Sequence, residues 1–134
     1  MNISKYAGYF HDGGLIDIKH TNDTIELYLA SAEVDPEDIE DNIPLGKYDR
    51  IKGILHLEKI KNIIVNDKVF TDTLKMESHS GDIFRFKIRD NTVNLQINWI
   101  EFNPKPSSSG FSTSEIEADK IYWENKPDLV DPYW

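Results

Sequence analysis

The 134-residue sequence predicts an all-β or β-rich single domain, an antiparallel β-sandwich or partly open barrel with one short helix. Apolar and polar residues alternate with the period of a half-buried strand: Phe84, Phe86 and Ile88 against Arg85, Lys87 and Arg89, then Val93, Leu95, Ile97 and Trp99 against Asn94, Gln96 and Asn98. Turn-forming residues interrupt the pattern at the spacing of short antiparallel strands. A 39% hydrophobic and 11% aromatic composition fills one sizeable core at this length, whereas two cores would each be marginal.

Taken in order, Gly14–His20 and Thr24–Ala30 form a first hairpin. A turn at Thr21-Asn22 sets Ile18 against Ile25 and Ile16 against Leu27. Asp35-Pro36-Glu37-Asp38 has an N-cap residue, proline at the first helical position and acids in the first turn, so a short helix is expected around 36–41. Residues 51–65 form two strands, or one strand bulged near Glu58-Lys59, because Ile60 breaks the parity of Ile51, Leu55 and Leu57. Asn66-Asp67 then turns the chain toward Val69-Phe70.

A three-stranded meander over 72–102 follows. Asp90-Asn91 makes a two-residue turn that pairs Ile88 with Val93, Phe86 with Leu95 and Phe84 with Ile97. A loop at His79-Ser80-Gly81 sets Met76 opposite Phe84 and Leu74 opposite Phe86. Residues 103–110, with Pro104, Pro106, three serines and Gly110, read as a flexible loop. Ser112–Glu115 resembles a capping box, but Ile116 and Ala118 alternate with acids, which favours strand over helix for 115–123. Residues 122–134 hold four aromatics and two prolines, so this segment with its aromatic tail, residues 124–134, is expected to be pinned, to the protein's own core sooner than to a partner.

Composition excludes several functions. With no cysteine there is no disulfide scaffold, thiol nucleophile or Cys-ligated zinc. His11, His20, His56 and His79 lack metal-ligand spacing, and no calcium-loop, P-loop, dinucleotide or nucleophile-elbow pattern occurs, so no metal, cofactor or catalytic residue is expected. A net charge of −9 argues against nucleic acid as the partner. No apolar run is long enough to span a bilayer or form a signal peptide, and a cytoplasmic protein is expected.

The charge is unevenly placed. Residues 1–50 hold 11 acids and 4 bases, residues 51–100 hold 6 and 8, and residues 101–134 hold 7 and 3. Glu33, Asp35, Glu37, Asp38, Glu40 and Asp41 form a run without a base and are the candidate contacts for a basic protein partner. Lys75, Arg85, Lys87 and Arg89 make a basic stripe on the meander, which in the simpler reading only guards an edge strand. Trp99, Trp123 and Trp134 are candidates for a carbohydrate or small-ligand site. The first hairpin also places Asp17 opposite Glu26, about 5 Å apart, a separation that suits a pair of hydrolytic carboxylates.

Two segments, Tyr9-Phe10-His11-Asp12-Gly13-Gly14-Leu15-Ile16 and Ile54-Leu55-His56-Leu57-Glu58-Lys59-Ile60, resemble small bacterial immunity proteins, the intracellular antidotes to polymorphic toxins. The resemblance implies an acidic, β-rich binding protein that blocks a toxin, and it transfers no catalytic residue. The expected function is therefore protein binding, sharpest as an inhibitor of a basic effector. The carbohydrate-binding and hydrolase readings stand as the alternatives.

Overall fold

A computed structural model describes residues 2–40 and 42–133. The chain runs through a 3-10 helix (Ile3–Phe10), β1 (Gly14–Thr21), β2 (Thr24–Glu33), a 3-10 turn (Pro36–Asp38), β3 (Arg50–Val65), β4 (Lys68–Val69), β5 (Ser80–Arg89), β6 (Thr92–Glu101) and β7 (Ser107–Asn125). All pairings are antiparallel. They run β1-β2-β3-β7-β6-β5 and return to β1, so six strands form a ring and β4 hangs on β3. The fold is all-β, a partly open barrel.

Closure is unequal around the ring. β3 pairs with β7 over most of its length, while β1 meets β5 only at Gly14↔Asp82 and Leu15↔Gly81. Gly81 makes that contact possible, since a Cβ there would lie 2.6 Å from Ile97 Cγ2 and 3.4 Å from Leu15 Cβ. Beyond these pairs the strands part, and irregular chain fills both gaps. The Asp12 N–H donates to Ile83 O and the Ile83 N–H to Gly13 O, both at 2.9 Å, after which the N-terminal helix lies against β5. Its Ile3, Tyr6, Ala7 and Phe10 are buried, and the Phe10 ring meets Phe86 at 5.1 Å and Trp123 at 5.8 Å, both edge-on. On the other side, His20 Nδ1 accepts the Leu74 N–H at 2.8 Å and holds the 70–79 segment, with Phe70, Leu74 and Met76 packed on the core.

The alternation of β6 holds without a break, with Val93, Leu95, Ile97 and Trp99 inside. Asn66-Asp67 and Asp90-Asn91 turn as expected, with φ of 51° at Asn66 and 54° at Asp90. β3 is one strand; Lys59 has φ 56°, and the pairing with β7 shifts just beyond it, between Ile60 and Asn62. Residues 115–123 lie in β7, as strand.

Four expectations are corrected. The first turn is Asn22-Asp23, flanked by the pair Thr21↔Thr24, so Ile18 faces Leu27 and His20 faces Ile25. A bulge at Ile16 then brings Leu15 into the core. In β5 a bulge at Phe84 sets Ile83 opposite Ile97 and leaves Phe84 56% exposed. Ser80 and Gly81 belong to β5, and 72–79 is not a strand, because the flank of β5 that it would occupy is taken by β1 and the N-terminal helix. Finally, β7 begins at Ser107, so the loop over 103–110 is shortened to 103–106.

Two substitutions test the closure. Gly53→Ala would drive a Cβ into the Glu124 carbonyl and to 2.6 Å from the Trp123 ring, where β3 and β7 pair. Urea unfolding should show a loss of roughly 2–3 kcal/mol, the range of an overpacked core site. His20→Ala leaves the Leu74 N–H without its acceptor and should cost about 1 kcal/mol. Hydrogen exchange should speed up across 70–79 while β6 stays protected.

Candidate functional site

The acidic run leaves the end of β2 and crosses to β3 in a fixed conformation. Val34 and Ile39 are buried at 5% and 7% exposure and pin the segment at both ends. The Val34 N–H donates to Asp49 O at 2.9 Å, and Asp35 Oδ1 caps the turn by accepting the Glu37 N–H at 3.0 Å. Glu33, Asp35, Glu37, Asp38 and Glu40 are all exposed. Glu40 is partly compensated by Lys5 Nζ at 2.8 Å, whereas Glu33, Glu37 and Asp38 form no ion pair among the described residues. Asp41 lies outside the described residues.

Trp99 and Trp123 do not form a ligand platform. Trp99 is 5% exposed and donates Nε1–H to Ser112 Oγ at 2.8 Å; Trp123 is 9% exposed and donates to Asn125 Oδ1 at 3.2 Å. Both indoles are core residues, and Trp134 lies outside the described residues. The carboxylate pair fails on register: Asp17 is opposite Tyr28, and Lys19 is opposite Glu26. Glu26 instead accepts the Tyr28 hydroxyl at 2.7 Å. Burial first, and then that hydrogen bond, raise the Tyr28 phenol above its ordinary value. Across the same face His56 stacks on Tyr122 at 4.6 Å and contacts Glu124 at 2.8 Å, while Tyr122 donates to Glu58 at 2.8 Å. This belt lies on the outside of the strands and pairs every carboxylate it contains with a phenol, imidazole or ammonium group.

A buried charge cluster has no counterpart in the sequence reading. Arg50 is 1% exposed and donates Nε–H to Ser31 O at 2.7 Å. Asp131 is 7% exposed, and both side chains converge on Gly14: a Cβ there would sit 3.5 Å from Asp131 Oδ2 and 3.8 Å from an Arg50 guanidinium nitrogen. Burial lowers the Arg50 pKa and the Asp131 charge opposes that. Nearby, Lys52 Nζ donates to Leu129 O at 3.3 Å, its own pKa lowered mainly by burial. The tail is joined to the rest of the chain by these polar contacts, by the Lys126 N–H on Lys52 O at 2.8 Å and by Tyr133, which stacks on Phe102 at 4.4 Å while staying exposed. A cleft of about 310 Å³ separates the tail from Lys47, Tyr48 and Lys52.

Exposed aromatics occur elsewhere. Phe84, turned out by its bulge, and Phe111 on β7 are 56% and 52% exposed and meet edge-on at 5.9 Å, with His11 5.6 Å from Phe84. One signal in the sequence marks this: the bulges of β1 and β5 fall on two adjacent apolar residues, Leu15-Ile16 and Ile83-Phe84, which cannot both face inward. Arg50 and Asp131 gave no such signal, being 81 positions apart with no motif linking them (131 − 50).

Among the described residues no group of His, Asp and Glu is arranged to hold a metal ion, and no helix is long and apolar enough to cross a membrane. No protein-family model matches the chain, and neither the curated proteins nor the solved structures contain a match.

Asp131→Ala removes the nearby negative charge that opposes the desolvation of Arg50 and the acceptor of the Tyr133 N–H. A loss of about 1–2 kcal/mol is expected, the scale of one hydrogen bond to a charged group, together with faster proteolysis in 126–133. Asp82 gives a test by pH. Its pKa is raised by burial first and then by Asp12 and Asp131, so the folded state prefers the protonated form. That preference contributes below the unfolded carboxylate pKa and is lost as pH rises through the folded value. Asp82→Asn should therefore raise the melting temperature at pH 7, by the equivalent of a few tenths of a kcal/mol after solvent screening, and the gain should vanish near pH 3.

Proposed function

We propose that this chain acts by binding a basic protein, in the manner of an immunity protein that neutralises a cationic effector. One observation supports the reading best: Glu33, Glu37 and Asp38 carry exposed negative charge with no internal ion pair, on a segment anchored at both ends by Val34 and Ile39. A free loop would lose conformational entropy on binding, while an anchored one has already lost it. Carboxylates presented in this way attract a cationic cleft from beyond contact distance and fill the space its phosphate substrates would take. The two segments that resemble immunity proteins both contribute to the scaffold behind this surface: Phe10 at the centre of the core, and β3 as the strand with most pairings.

The test uses a partner captured from source cells by the intact chain. Combining Glu33→Lys, Glu37→Lys and Asp38→Lys, which spares Glu40 and its contact with Lys5, should lower the association rate at least about tenfold at low salt and flatten its salt dependence. The melting temperature should stay close to that of the unaltered chain. An unchanged association rate in a folded variant rejects the acidic segment as the contact.

A further inference from the structure

The outward face of β5, β6 and β7 carries opposite charges on separate strands. Cross-strand register puts Arg89, Thr92 and Glu117 in one row and Lys87, Asn94 and Glu115 in the next. Arg85, Gln96 and Thr113 make a third row. β5 is therefore cationic on this face, β6 neutral and β7 anionic. Two strand spacings, about 10 Å, separate β5 from β7, so an ion pair across β6 would need both side chains fully extended along the sheet. Arg85, Lys87, Arg89 and Glu117 form no ion pair among the described residues, and Glu115 receives only a long 3.4 Å contact from Asn94. Beyond the third row stand the exposed Phe84 and Phe111.

We propose that this face binds a second copy of the chain across a two-fold axis parallel to β6. A half-turn about that axis lays β5 of one copy over β7 of the other and keeps each row at its own height. Arg89 then meets Glu117 of the second copy, Lys87 meets Glu115, and the two Phe84–Phe111 pairs meet each other. Every contact occurs twice, as an isologous interface requires. The shape agrees with this. Short side chains (Thr92, Asn94, Gln96) lie along β6, where two barrel walls would approach first, and long ones flank them. The resulting depression of about 350 Å³ is lined by Arg85, Lys87, Arg89, Thr92, Asn94 and Glu115 together with Asp90.

Three strands about 4.8 Å apart and ten residues long give a face of roughly 450 Å². A standard interface needs about 800 Å² per partner, so the dimer is a weak one that forms with rising concentration. The pairing does not depend on the acidic segment Glu33–Asp41 and can hold or fail separately from it.

Sedimentation velocity between about 10 μM and 1 mM tests the proposal, a range that brackets weak self-association. The unaltered chain should pass from monomer to dimer. The pair Lys87→Glu and Arg89→Glu makes the whole face acidic and should weaken association at least tenfold. The pair Glu115→Lys and Glu117→Lys makes it basic and should do the same. Mixed in equal amounts, the two variants should associate again, because each now presents the charge the other lacks. All four positions are exposed, so both variants should keep the melting profile of the unaltered chain by circular dichroism. A chain monomeric at 1 mM overturns the proposal, as does a dimer indifferent to both charge changes or a mixture that stays monomeric. Capture of a different protein by this face, with no self-association, overturns it as well.

Discussion

A ring of six strands must close, and here it closes through two residue pairs. Gly14 and Leu15 meet Asp82 and Gly81, and on either side of them the sheet has no strand left to add. Unpaired backbone and open apolar interior at that seam would each cost free energy. The rest of the architecture answers this constraint. The N-terminal helix blunts the upper part of β5 and delivers Phe10 to the centre of the core, against Phe86 and Trp123. The 70–79 segment closes the lower part through the imidazole of His20. Both bulges, at Ile16 and Phe84, lie beside the seam, where a bend lets the strands separate.

Electrostatics divides the molecule in two. Inside, Arg50 and Asp131 lie buried on either side of Gly14, where desolvation is costly. The chain's end is tied to the start of β3 by Lys52, through the Lys126 N–H on its carbonyl and its own Nζ on Leu129 O. Outside, negative charge is concentrated on the segment between β2 and β3, and opposite charges are segregated to separate strands on the β5–β6–β7 face. A molecule of net charge −9 that keeps these groups apart leaves them available to other surfaces.

Much of the strand content was legible. β6 shows why: its apolar residues alternate without interruption and its turn residues, Asp90-Asn91, tolerate positive φ, so periodicity alone fixes the strand, its face and its pairing with Lys87–Arg89. The start of the segment at Pro36 was legible for a similar reason, since Asp35 caps it locally, but the short helix expected around 36–41 is a 3-10 turn that ends at Asp38, where Ile39 becomes extended and buried. Leu74 and Met76 show where such reasoning stops. They alternate like strand residues and are partly buried, yet no strand forms, because β1 and the N-terminal helix occupy the neighbouring flank. The candidate acidic surface could be located because its residues are contiguous. Trp99 and Trp123 misled because aromatic content says nothing about which side of a strand faces water.

The sequence by itself determined the period-two elements, most of the turns, the single core and the uneven charge, all of which arise from residues close together along the chain. Tertiary structure decided the closure of the ring, the outward turn of Phe84, the burial of Trp99 and Trp123, and the meeting of Arg50 with Asp131. Each of these depends on residues far apart in sequence competing for one flank or one cavity, and local preference carries no information about which of them prevails.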